Sequence, residues 1–265
     1  MPATEVEQVV VHHEGAVTRI RLARPEKRNA LTPAMIDRLH RALTEATDRG
    51  STVLSITGTA GVFCAGADIA GYVDAAAHTA ELREFTHRAR DLCTRLASSD
   101  LLTLAVVDGM ALGGGMELAL ACDLMVCSDS SVFSLPEITL GLIPGWGGTQ
   151  RLAEALGVRR AKAAILTAQR FSAADVAAYG LAHAVVPAPL LEATAEEFIT
   201  EITRRAPLAV RAAIAAVSAY SDPTGGRTVG AACETAGLLA LFTSADGVEG
   251  VNAFLDKRPA HFTGS

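Results

Sequence analysis

The chain has 265 residues, half of them hydrophobic and a fifth charged, with a net charge of −6. That length allows one or two domains with a sizeable core, and the composition is globular rather than disordered. The acidic balance, without a clustered Lys/Arg stripe, argues against nucleic acid or an anionic membrane as partner.

Residues 9–11 and 17–22 flank Glu14-Gly15 and read as a β-hairpin. Thr32-Pro33 opens an amphipathic helix to about 48, with Ile36, Leu39, Leu43 and Ala46 on one face. A short buried strand, 53–57, runs into a glycine-rich loop, 58–71. A charged helix over 81–97 and an apolar strand over 102–107 follow. Asp108-Gly109 and then Gly113-Gly114-Gly115 lead into a helix over 116–121, with short strands at 124–127 and 132–134. This alternation argues for an α/β core with partly parallel pairing. Beyond Gly147 helices dominate, at 148–156, 160–167, 173–179, 189–205, 208–220 and 228–241. One strand, 184–186, interrupts them, and 221–226 reads as a hinge.

Two glycine loops carry the chemical information. One is Phe63-Cys64-Ala65-Gly66-Ala67-Asp68-Ile69 and the other is Gly113-Gly114-Gly115-Met116-Glu117. Each follows a buried strand and precedes a helix, where small residues let backbone N–H groups approach a ligand. Neither fits a nucleotide phosphate-loop pattern. Taken singly each could be a tight turn; as a pair, two N–H donors converging on one point suit an oxyanion. Glu117 stands in the first turn of an apolar helix, and Glu137 precedes an uncharged run, 138–150. Position alone leaves Glu117 as dipole compensation and Glu137 as a turn carboxylate. Beside an oxyanion site, two buried carboxylates could instead divide acid and base roles.

Other residues read as packing or surface. His12 and His13 form an exposed pair on a hairpin strand, and His183 packs. Cys64 has no paired His and reads as a buried spectator thiol, and Asp68 reads as a cap or anchor of its loop. The five cysteines are an odd, scattered set without a C-x-x-C pair, so neither a disulfide framework nor a metal site is expected. The longest uncharged stretch, 50–67, is rich in Ser, Thr and Gly and does not read as a membrane span. Residues 1–10 show no export signal, and a reduced, cytoplasmic protein is expected.

Taken in order, these motifs resemble the enoyl-CoA hydratase/isomerase (crotonase) family. Ala23-Arg24-Pro25 with Asn29-Ala30-Leu31 is similar to its first loop, and 63–69 to its first oxyanion loop. Asp108 to Leu118 resembles its signature, running on to Cys122-Asp123. Pro136-Glu137, Gly141-Leu142-Ile143-Pro144-Gly145 and Gly147-Gly148-Thr149-Gln150-Arg151-Leu152 continue the likeness, which ends at 253–258. The resemblance implies an α/β fold: a spiral of ββα units over 1–195, then a helical trimerisation region over 196–265. It also implies assembly as a homotrimer or dimer of trimers.

By the same resemblance, Ala67 and Gly114 N–H groups hold a thioester carbonyl, while Glu117 and Glu137 are the catalytic carboxylates. Ala65, Asp68 and Ile69 line the coenzyme A thioester and pantetheine arm, and Lys27 approaches the nucleotide end. Lys257 and Phe262 cover it from a neighbouring subunit. Coenzyme A is part of the acyl-CoA substrate, so no cofactor or metal is implied. Where many relatives carry lysines near the coenzyme A phosphates, this chain has Ala70-Gly71 and Leu101-Leu102. Ser134 replaces a common glycine and Trp146 a small residue, changes able to narrow the acyl pocket; Trp146 and loop 70–80 are expected to set acyl specificity. Both carboxylates favour reversible hydration of a 2-trans-enoyl-CoA. Δ3,Δ2-isomerisation, another acyl-CoA lyase reaction, a non-catalytic acyl-CoA sensor and an RNA-binding relative are the alternatives.

Overall fold

The computed structural model describes residues 7–68, 79–221 and 225–265. Strands β1 (Val9–Glu14), β2 (Val17–Leu22), β3 (Val53–Thr57), β4 (Leu102–Val107), β6 (Leu124–Ser128) and β9 (Ala184–Val186) form one sheet in the order β1-β2-β3-β4-β6-β9. The β1–β2 hairpin is antiparallel and every other pairing is parallel. A smaller sheet joins β5 (Met110–Leu112), β7 (Val132–Ser134) and β8 (Phe171–Ser172).

Successive strand residues point to opposite faces, and both faces of the large sheet are covered. From β3, Leu54 and Ile56 pack with Ile36, Leu39 and Leu43 of helix α1 (Pro33–Asp48) and Leu92 of α2 (Thr79–Ala97). Val53 turns the other way, with Leu104 and Val126, onto Leu191, Ala195 and Ile199 of a later helix, 191–203. Burial on both sides is why β4 reads as one apolar run rather than an alternation. Thr32 starts α1 by accepting the Met35 amide on its hydroxyl, 3.2 Å away.

The site-bearing segments are stitched together by isolated parallel bridges. Leu31 pairs with Ala67, Cys64 with Ala111, and within the small sheet Leu112 with Ser134. Loop 64–67 therefore lies between the first loop and β5, while β5 lies beside β7. Helix α3 (Gly114–Leu120) leaves directly from β5. Its far end is fixed where Asp123 accepts both the Thr103 amide and hydroxyl at 2.7 Å, tying β6 to β4. Helices α4 (Gly148–Leu156), α5 (Val158–Leu166), α6 (Ala173–Ala178), α7 (Leu191–Thr203), α8 (Pro207–Ser218), α9 (Gly226–Phe242) and α10 (Ala245–Leu255) complete the chain.

Several boundaries differ from expectation. β1 extends through Glu14 because His12 and His13 stay in register with Arg19 and Thr18. His12 is exposed, and His13 Nδ1 bonds the Thr18 hydroxyl at 2.9 Å. His183, expected to pack, is exposed, though its ring lies edge-on to Phe198 with centroids 4.8 Å apart. α3 begins at Gly114 rather than 116, so the glycines belong to the helix start. Strands β5 and β8 and helix α10 escape the sequence reading, whose last helix stops at 241. Residues 222–224 of the hinge expected over 221–226 lie outside the described residues, as does most of loop 70–80.

Candidate active site

The two glycine loops meet. A side chain at Gly66 would stand 2.9 Å from the Leu112 carbonyl oxygen and 3.3 Å from the Gly114 nitrogen, so the backbones are in direct contact. The loop ladder fixes this approach. Leu31 donates to the Gly66 carbonyl at 2.8 Å, Asp68 to Leu31 at 2.9 Å, and Leu112 to Cys64 at 2.9 Å. Among the described residues, neither the Ala67 nor the Gly114 N–H has a main-chain acceptor. Both residues line the same cavity. Gly113 makes the junction with φ 52° and ψ −125°, a conformation that a side chain would strain. Two N–H groups without a main-chain acceptor among the described residues, on residues that line one cavity, suit an oxygen that becomes negative.

Glu117 projects from the first turn of α3 and is 2 % exposed. Its Oε1 accepts the Trp146 amide at 2.7 Å and the Gly148 amide at 2.8 Å, one on each side of Gly147. Burial raises its pKa above the ordinary carboxylate value, while those amides and the Arg151 charge pull it back down. A carboxylate held this way is poised to accept a proton.

Glu137 opens a 3-10 turn, Glu137–Leu140, immediately after β7 and Pro136. Because β7 pairs with β5, this turn is delivered beside Gly113, where a side chain would meet Glu137 Oε1 at 2.9 Å. Glu137 Oε2 is buried with no hydrogen-bond partner. Burial pushes its pKa up to about 7, and the nearby Glu117 charge pushes the same way. Two carboxylates in one cavity thus have different characters, one gripped by two amides of a neighbouring turn and one with a buried oxygen left without a partner.

The cavity has a volume of about 620 Å³. Ala65, Ala67, Gly114, Glu117, Glu137 and Trp146 all line it. The Trp146 ring lies against Gly114 and makes an edge contact with Phe85, centroids 5.7 Å apart. Ser134, by contrast, aims its hydroxyl at the Ala168 carbonyl, 3.4 Å away, and is absent from the lining. The remaining wall was missed: Leu82 and Thr86 from α2, and Leu140, Leu142 and Ile143 after Glu137. The last three are large, exposed apolar residues, a signal visible only once the chain is folded.

The other expected contacts lie elsewhere. Asp68 does not line the cavity; its Oδ2 pairs with Arg24 Nη1 at 2.7 Å and anchors the loop. Lys27 is exposed in a 3-10 turn, Pro25–Lys27. Lys257 is exposed with φ 55°, just past α10, and Phe262 packs back against Gly250 of the same chain. Neither tail residue reaches the cavity within the chain. Ile69 lies outside the described residues. Cys64 is fully buried, its thiol pushed up to about 12 by burial, and is no nucleophile.

A spiral α/β fold whose glycine-loop amides and buried carboxylates share one apolar cavity defines the crotonase class. Residues 12–265 match the model of the enoyl-CoA hydratase/isomerase family, and the chain belongs to that family. It is 40% identical over 256 residues to the mitochondrial enoyl-CoA hydratase domain-containing protein 2 of Bos taurus, covering 94% of this chain and 84% of that one. It is 36% identical over 260 residues to the 2,3-dehydroadipyl-CoA hydratase of Escherichia coli K12, covering 97% and 99%. The crystal structure of an enoyl-CoA hydratase from Bacillus anthracis superposes with a TM-score of 0.90 at 34% identity, covering 98% of this chain and 100% of that one. The protein is an enzyme of the hydratase type.

Proposed function

We propose that this enzyme adds water reversibly across the 2,3 double bond of a 2-trans-enoyl-CoA, giving a 3-hydroxyacyl-CoA. The observation that carries the reading is the unlike pair of carboxylates, Glu117 held by two amides and Glu137 with a buried Oε2 that has no partner, in one cavity with two N–H groups that have no main-chain acceptor among the described residues. The thioester oxygen accepts from Ala67 and Gly114 N–H. As water adds at Cβ that oxygen becomes enolate-like, and each donor binds it more strongly than in the ground state, an effect of about 3 kcal/mol per donor. Glu117 takes a proton from the water as its oxygen bonds to Cβ. Glu137 then gives its proton to Cα as the enolate collapses, and solvent exchange resets the pair. The chemistry is acid–base throughout and asks for no metal or redox cofactor.

The working state holds one proton between the two carboxylates in either direction. Loss of that proton from Glu137 is therefore expected to draw hydration and dehydration kcat/KM down together as pH rises through about 7. Mixing the enzyme with short- and medium-chain 2-trans-enoyl-CoA should remove the conjugated thioester absorbance. Appearance of that absorbance from a 3-enoyl-CoA, with no loss from the 2-enoyl compound, would instead identify an isomerase.

We propose further that the C-terminal helices assemble the chain as a homotrimer or dimer of trimers. Leu238, Leu239 and Phe242 on α9 and Phe254 and Leu255 on α10 are all more than half exposed, an apolar face unusual for a lone chain. Light scattering is expected to give three or six times the chain mass; a monomer at micromolar concentration would overturn this.

A further inference from the structure

Glu117 is held in place from outside its own helix. Both amides on its Oε1 belong to the 146–148 turn, so whatever fixes that turn fixes the carboxylate. The Arg151 side chain folds back from the first turn of α4 over Gly147, where an added methyl would stand 2.1 Å from Nη1. Nη1 donates to the Trp146 carbonyl at 3.0 Å and Nη2 to the Cys93 carbonyl of α2 at 2.9 Å. One rigid guanidinium thus joins the turn that grips Glu117 to the helix that supplies Leu82 and Thr86 to the same cavity. A cation in a helix's first turn opposes the dipole, so the two carbonyl bonds must offset that cost.

We propose that Arg151 is a positioning residue for the general base: by clamping the Trp146 and Cys93 carbonyls it keeps the Trp146 and Gly148 amides converged on Glu117. This rests on the reading of Glu117 as base. The charged and titratable groups facing Glu117 are Arg151 from α4, Glu137 from the turn after β7, and Cys93 from α2. Of these only Arg151 is cationic, so it favours the ionised carboxylate electrostatically as well as through the turn.

The test compares Arg151→Met and Arg151→Lys with wild type, reading kcat, KM, the pH profile and the 13C titration of the Glu117 carboxyl. Arg151→Met is expected to lower kcat tenfold to a hundredfold, roughly the cost of a misplaced group, with little change in KM. In the same variant the Glu117 titration, and with it the acid limb of the profile, is expected to move to higher pH. Arg151→Lys keeps a cation but cannot fork across two carbonyls, so kcat stays low and Glu117 titrates between the wild-type and Met values. A Met variant whose Glu117 titrates as in wild type would overturn the proposal, whatever its stability. Should the Met variant not fold, a Lys variant with wild-type kcat would overturn it equally. If wild type hydrates no enoyl-CoA, the reading of the reaction fails, yet the Glu117 titration still decides the role of Arg151.

Discussion

Glu117→Gln and Glu137→Gln are each expected to lower kcat for hydration by about 10²–10⁴, the range for removing a general acid or base. The substitutions are close to isosteric. In Glu117→Gln the new side chain keeps a carbonyl oxygen to accept the Trp146 and Gly148 amides, so the turn persists, but it cannot take the proton from water. In Glu137→Gln the amide copies the shape of the neutral acid without its transferable proton. Because one proton state of the pair is the working state, the double variant is expected to lose little beyond the worse single one. Stability gives an independent check. Glu137 titrates at about 7 in the fold against an ordinary 4.5, so between those values the folded chain binds more protons than the unfolded one. Its contribution is complete below 4.5 and is lost as pH rises through 7. Glu137→Gln is therefore expected to melt above wild type at pH 8 and close to it at pH 5. Hydration within a few-fold of wild type in both single variants would sink the two-carboxylate mechanism.

Much of this site is legible in the sequence because its parts are local. A glycine triplet after an apolar strand and a lone carboxylate in an apolar helix are signals contained in ten residues. Helix α1 is equally plain, its cap, proline and apolar face all agreeing. Strands β5 and β8 are not, since three and two residues hold no periodicity; β5 exists through pairing with β7 and Cys64, and β8 through pairing with β7. Helix α10 hides behind Gly247 and Gly250, residues that weaken a helix by propensity. Gly247 is required because a methyl there would stand 1.9 Å from the Leu241 carbonyl oxygen. The missed cavity wall has the same origin. Leu82 and Thr86 belong to a charged helix whose pattern says only that one face is buried, not which ligand the other end meets. For Asp68 the resemblance implies a ligand contact while the residue itself reads as a loop anchor, and a guanidinium 44 residues earlier in the chain claims its carboxylate. Trp146, expected from the resemblance to narrow the acyl pocket, lines the cavity and is also packed in the core.

Gly114→Ala is expected to lower kcat/KM by about 10²–10³, as much as losing one oxyanion donor. Backbone conformation gives no reason for this. Gly114 is helical, and alanine there gains about 1 kcal/mol of helix propensity. The obstacle is the indole: a methyl would stand 2.2 Å from Trp146 Cζ3 and 2.7 Å from Cη2, far inside contact distance. The ring cannot yield easily, being 4 % exposed and braced edge-on by Phe85. The start of α3 must therefore retreat and carry the Gly114 N–H away from the thioester oxygen. A shift of about 1 Å in a reacting group can cost a hundredfold, which outweighs the propensity gain. The cause can be isolated by deleting the ring. Trp146→Ala alone opens a cavity and is expected to lose about 3–5 kcal/mol of stability while leaving the amide in place. Combined with Gly114→Ala, it removes the clash, so the double variant is expected to recover at least about tenfold in kcat/KM over Gly114→Ala, or about 1.4 kcal/mol of coupling. If the two losses simply multiply, the indole is not what fixes the amide, and the close packing of Trp146 on Gly114 has no part in aiming it.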